Sequence, residues 1–167
     1  AGRWQETCAV IREEVLDRGW SAEKDSFVQH YETESLDASA LLIPLMGFLP
    51  VDDPRVVSTI TAIRGELGSE GLLYRYRRSD GLQGGEGAFL LCSFWLVQCL
   101  AARGDYEEAG AVLRRLEGVA NHLGLFPEEY DMHWREALGN FPQAFTHIGY
   151  INSVLALRKA RGPGRAE

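Results

Sequence analysis

The chain has 167 residues, 46% of them apolar and 25% charged, with a formal net charge of −7. That length and composition admit one folded domain with a real core, and the acidic balance argues against nucleic acid or an anionic membrane as a partner. The basic run Arg75, Arg77 and Arg78 is too small for such a surface.

Apolar stretches at 41–50 and 88–99 are too short or too interrupted to span a bilayer. Residues 1–20 are charged and amphipathic and lack the apolar centre of a secretion signal. The cysteines, Cys8, Cys92 and Cys99, are odd in number and lack metal-ligand spacing. All three fall in apolar helical contexts, so they are expected to be buried, and a cytoplasmic setting fits best.

Helical spacing of apolar residues runs through the chain, and strand-like alternation is scarce. A first helix is predicted over 3–18, burying Trp4, Cys8, Ile11, Val15 and Leu16, with Gly19 as a left-handed stop. After a polar stretch, Ser35 or Asp37 caps a second helix that reaches Met46 and is kinked or shortened by Pro44. Asp53 followed by Pro54 opens a third, which ends at Gly65 or Gly68.

Residues 69–87 form a long glycine-rich loop before a deeply buried fourth helix from about Glu86 to Arg103. Asp105 caps a fifth helix over 106–123, a second irregular loop covers 124–141, and a sixth helix runs from about 142 to 159. Residues 162–167 read as a flexible tail after Pro163 and its flanking glycines. Six helices in paired hairpins, with the longer loops at alternating junctions, predict an all-α stack whose loops gather on one face. The segment GDYEEAGAVLRRL also resembles the start of a helical repeat, but no 34-residue period recurs.

The two loops hold the candidate chemistry. In GLFPEEYDMHWREALGN, Glu128 and Glu129 stand beside Tyr130, Asp131, His133 and Trp134. A carboxylate with an aromatic wall suits sugar chemistry, yet an acidic pair after proline equally suits the first turn of a helix. In YRYRRSDGLQGGEG, arginines and Glu86 lie among glycines that let the backbone approach a ligand; Glu86 also fits a helix N-terminus. His147 shares a helix face with Gln143 and Tyr150 or Ile151 and reads as a hydrogen-bonded core residue. The histidines lack a metal-ligand constellation.

Taken together, GEGAFLLCSFWLVQCLAARGDYEEA, GLFPEEYD and LGNFPQAFTHIGYINSVLAL resemble, in order and spacing, bacterial members of glycoside hydrolase family 15, the glucoamylase and trehalase-like enzymes. The resemblance covers about 35–160. It implies an (α/α)6 toroid of twelve helices, of which residues 1–161 would be a C-terminal portion of the catalytic domain. It implies hydrolysis of an α-glucoside or trehalose with inversion, between two carboxyl groups about 6.5–9.5 Å apart, with no metal or cofactor.

Carried over by motif, Glu128 matches the general base. Tyr130 and Trp134 would shape that end of the pocket. Glu86 and one or both of Arg75 and Arg77 match the sugar-binding loop, with YRY favouring Arg75. The family's general acid lies upstream and has no counterpart in these residues, nor does the β-sandwich common in bacterial relatives. Such a portion is expected to be inactive alone and to self-associate through unpaired helix faces. The alternative is a non-enzymatic helical-repeat interaction module.

Overall fold

A computed structural model describes residues 2–78 and 86–161. The expected tail and the centre of the glycine-rich loop lie outside those residues. Among the described residues are six α-helices, one 3₁₀ turn and seven strands of two or three residues. The fold is mostly helical, as expected, but it is not purely α.

Helix α1 (Gly2–Arg18) has the expected span, yet none of its residues is buried. Trp4 is 75% exposed, and Cys8 and Ile11 are exposed too, which corrects the expected stripe and the expected burial of Cys8. An apolar stripe needs a partner surface, and no described element covers the first two turns. Only Val15 and Leu16, near the end, pack against the core. Gly19 is not left-handed; it is needed because a Cβ there would lie 2.6 Å from the carbonyl oxygen of Val15. The chain then turns through β1 (Trp20–Ser21) and β2 (Ser26–Phe27), an antiparallel pair.

Asp37 caps the 3₁₀ turn Ala38–Leu41, accepting the Ser39 N–H at 2.7 Å, and the turn continues into the short helix α2 (Leu42–Leu45). Asp53 accepts the Arg55 N–H at 2.9 Å to start α3 (Pro54–Leu67), with Pro54 in the first turn where no N–H is needed. The strands β3 (Gly68–Ser69) and β4 (Leu72–Leu73) then pair as a tight hairpin.

Strand β5 (Ala88–Phe89) leads into α4 (Leu90–Arg103), which starts later than expected because its first residues serve in the strand. Gly104, at φ +90°, ends α4 in the left-handed region and turns the chain into α5 (Tyr106–Glu117). Asp105 holds the capping position, but its carboxylate faces Arg103 Nε at 3.3 Å instead of capping. Helix α5 stops at Glu117, short of 123, because Gly118 follows and Asn121 Oδ1 takes the N–H groups of Leu123 and Leu125 at 2.9 and 3.0 Å.

The expected irregular loop at 124–141 contains β6 (Glu129–Asp131) and β7 (Glu136–Leu138), and α6 (Ala144–Arg161) follows. Helix α4 is the centre of the core: Leu90, Cys92, Phe94, Val97, Cys99 and Leu100 are buried between α5, α6 and the 3₁₀ turn. Gly149 lets α6 come close, since a Cβ there would meet Leu91 Cδ1 at 2.8 Å and Phe94 Cβ at 3.1 Å. The buried Ser153 hydroxyl lies 2.8 Å from Gly149 O and 3.0 Å from Phe94 O, tying the helices at the same point. No described helix is long and apolar enough to cross a membrane.

Candidate active site

The two loops singled out in the sequence meet in one small sheet. β6 pairs antiparallel with β5 on one side and β7 on the other, placing Glu129 opposite Phe89 and Leu138, and Tyr130 opposite Ala88 and Ala137. The end of the first loop and the start of the second therefore sit together at the N-terminal end of α4. Gly87 makes this closeness feasible, since a Cβ there would lie 2.8 Å from Tyr130 O.

The segment that carries Glu128 is anchored two residues earlier. Phe126 is buried, with ring centroids of Phe94, Tyr150 and His147 at 5.6, 5.3 and 5.4 Å. Its N–H points at His147 Nε2 (3.3 Å), and its carbonyl accepts from Gln143 N–H (3.0 Å). His147 Nδ1 lies 2.7 Å from Gln143 O. A nitrogen that receives an N–H must be unprotonated, so the proton sits on Nδ1, donating to Gln143. His147 is thus the hydrogen-bonded core residue expected.

Glu128 is half-buried just before β6. Its N–H donates to Asn140 O at 3.0 Å and its carbonyl accepts from Leu90 N–H at 3.2 Å, so the far side of its own hairpin and the start of α4 hold its backbone. Its side chain receives two hydrogen bonds on one oxygen, Oε2, from the Asn140 backbone N–H at 2.9 Å and from Asn140 Nδ2 at 2.8 Å. Among the described residues no hydrogen bond reaches Oε1. A carboxylate held by two donors on one oxygen is fixed in orientation.

Glu129 differs from its neighbour. Its Oε2 accepts the Gly87 N–H at 3.1 Å. Burial raises its carboxyl above the usual range, the Gly87 hydrogen bond opposes that, and the charges of Glu86 and Glu128 add to it. Glu86 itself is exposed at the mouth of the sheet.

Arg75 is exposed beside the 3₁₀ turn, its Nε 3.6 Å from Asp37 Oδ2 and its carbonyl accepting the Ala38 N–H at 2.8 Å. Arg77 is exposed, with Cζ 4.5 Å from the centroid of Tyr74. Tyr130 is half-buried with Arg115 Cζ 6.0 Å from its ring, on the side facing α5. Trp134 sits at the tip of the β6–β7 hairpin, 70% exposed and against the His133 ring. The structure therefore joins Glu86, Glu128 and Glu129 closely. Arg75 is held on Asp37, and Trp134 stands apart at the hairpin tip.

Cys92, buried in the first turn of α4, marks where these parts meet. Burial raises its thiol first, and the charges of Asp37 and Glu129 raise it further, against Arg75. Two contributors escaped the sequence reading. Asp37 was read only as a cap, yet it is also the buried partner of Arg75. Asn140 was read only within a motif, and nothing in the sequence pairs it with Glu128, twelve positions away.

The profile of glycosyl hydrolases family 15 matches residues 1–155. The chain belongs to that family. Among curated family 15 relatives, a trehalase of Mycobacterium tuberculosis is 44% identical over 163 residues, covering 96% of this chain and 24% of that protein. A trehalase of Thermoplasma volcanium is 40% identical over 159 residues, covering 95% of this chain and 26% of that one. The chain spans about a quarter of the length of these relatives. Among solved structures, a wild-type glycosidase is 26% identical with a TM-score of 0.78, over 92% of this chain and 43% of that one. A variant glycosidase in complex with glucose is 25% identical with the same TM-score and coverage.

Proposed function

We propose that this chain is the C-terminal portion of an (α/α)6 catalytic domain and supplies the general base, Glu128, of an inverting, glucose-releasing hydrolase of trehalase type. The observation that carries the reading is the Glu128 carboxylate, fixed by Asn140 through one oxygen where the two loops meet. The trehalase names of the relatives favour trehalose over α-1,4-glucans as the substrate.

In this mechanism Oε1 of Glu128 takes a proton from water as the water oxygen bonds to the anomeric carbon. The glycosidic C–O bond breaks on the opposite face, and its oxygen takes a proton from a general acid. Inversion follows because attack and departure lie on opposite faces. Arg75, Arg77 and Glu86 would bind sugar hydroxyls, with Tyr130 and Trp134 giving apolar faces. No residue of this chain is assigned as the acid. Leaving-group protonation is worth about 10²- to 10⁴-fold, so the isolated chain is expected to hydrolyse little. A reducing, cytoplasmic setting fits its free thiols.

The exposed apolar residues of α1 (Trp4, Val10, Ile11) and α6 (Phe145, Ile148, Ile151, Leu155) support a second part of the proposal. These faces pack against more chain in a longer form of the protein, and drive self-association of the 167-residue chain alone. Sedimentation showing a monomer at every concentration tested overturns that part.

The deciding experiment is glucose release from trehalose and maltotetraose by this chain and by a form extended upstream, each with its Glu128→Gln variant. Release by the extended form alone, lost in the variant, is the expected result. If both forms fold and neither releases glucose, the hydrolase reading fails and the helical interaction module takes its place.

A further inference from the structure

We propose that Asn140 is a positioning residue that aims the Glu128 carboxylate, and that Gly139 is the space it needs. The proposal rests on the reading of Glu128 as the base. Asn140 places two donors, one from the backbone and one from the side chain, on a single oxygen at 2.9 and 2.8 Å. A carboxylate only accepts, so the side-chain amide must present its nitrogen, and the carboxylate cannot rotate about its terminal bond without breaking both contacts. The Glu128 N–H returns a bond to Asn140 O, so the two residues are locked by three hydrogen bonds across the base of the hairpin.

Gly139 completes the arrangement. Its φ is +69°, a region that side chains disfavour. A Cβ there would lie 2.7 Å from Glu128 Oε2 and 3.1 Å from Glu128 Cβ. A residue larger than glycine at 139 therefore pushes the carboxylate away from the two donors. The sequence Gly139-Asn140 thus provides a gap and a clamp in adjacent positions. A base must meet its water within hydrogen-bond reach and at the right angle, and misplacement by about 1 Å can cost about 100-fold in rate.

The test uses the form of the protein that releases glucose from trehalose. Asn140→Asp keeps the shape of the side chain but replaces its N–H donor with an acceptor of like charge. Asn140→Ala removes the group, and Asn140→Ser returns a shorter donor. The expected result is a fall in kcat of about 10- to 100-fold for Asp and Ala, with KM changed by less than about threefold. The melting temperature is expected to stay near that of the parent, and Ser to recover part of kcat.

Gly139→Ala should show the same kcat loss, and Asn140→Asp carries the test if that variant does not fold. If Glu128→Gln abolishes release while Asn140→Asp keeps its kcat, the positioning role is overturned and the base assignment stands. An Asn140→Asp variant whose kcat is kept and whose loss lies wholly in a raised KM also overturns it, since the effect then lies in binding and not in the aim of the base. Full activity in Glu128→Gln overturns the base assignment and this proposal with it.

Discussion

Replacing Phe126 by alanine tests whether the segment bearing Glu128 is hung from the helical core. Phe126 is 3% exposed and touches three rings, on Phe94, His147 and Tyr150. Truncating a buried phenylalanine costs about 3–5 kcal/mol from lost transfer energy and the remaining cavity. For a domain of this size each kcal/mol lowers Tm by about 2–4 °C, so Phe126→Ala is expected to melt about 6–20 °C below the parent. Phe126→Leu keeps most of the volume and is expected to cost about 1 kcal/mol. Far-UV circular dichroism gives Tm, and the near-UV signal reports the ring cluster. Hydrogen exchange adds the local reading: the amides of Glu128 and Leu90, bonded to Asn140 O and Glu128 O, should lose protection before those in the middle of α4. A Phe126→Ala protein that melts within about 2 °C of the parent, with those two amides still protected, refutes the anchoring argument.

Three further outcomes follow from the same contacts. Glu129 has its carboxyl raised in the fold, so its favourable contribution is complete below the ordinary carboxylate range and is lost as pH rises through the raised value. Glu129→Gln is therefore expected to raise Tm at pH 7, with the advantage disappearing below about pH 4; an advantage that grows on acidification contradicts this. Asp37→Asn keeps an acceptor for Ser39 N–H and loses the pair with the half-exposed Arg75 and the long 3.4 Å bond from Gln29 Nε2, so urea titration should show a change of about 1 kcal/mol. Asp37→Ala also loses the cap and should cost about 1–2 kcal/mol more. Gly149→Ala gains about 1 kcal/mol of helix propensity but puts a methyl into Leu91 and Phe94; a net loss of about 1–2 kcal/mol is expected, and a higher Tm refutes the close-packing account.

The helices were legible where local chemistry marks them. Asp53 with Pro54 and Asp37 before the 3₁₀ turn each act within a few residues of their own position. The strands were not, because two or three residues cannot display an alternating period. They exist because distant segments pair: 88–89 with 129–130, and 129–131 with 136–138. The stripe on α1 was read at the right period and assigned the wrong environment, since amphipathicity shows that a face seeks cover and not what covers it. Glu128 is a candidate through its motif, which a sequence displays directly. Its clamp is not displayed, because Asn140 reaches it across a twelve-residue hairpin that the sequence presents as a loop.

Helix α6 links packing to chemistry here. Its middle lies against α4 at Gly149 and Ser153, while its N-terminal end holds Phe126 through Gln143, His147 and Tyr150. From Phe126 the chain advances only two residues to Glu128, whose carbonyl is held by the first residue of α4 and whose carboxylate is held by Asn140. The candidate base is therefore fixed at both ends of a short span: upstream by an aromatic cluster between two packed helices, downstream by the strand that leads back into α6. Loosening the α4–α6 contact should move the carboxylate even though no residue there touches it. An irregular loop over 124–141 would impose no such constraint; a three-stranded sheet stapled to the helix core does.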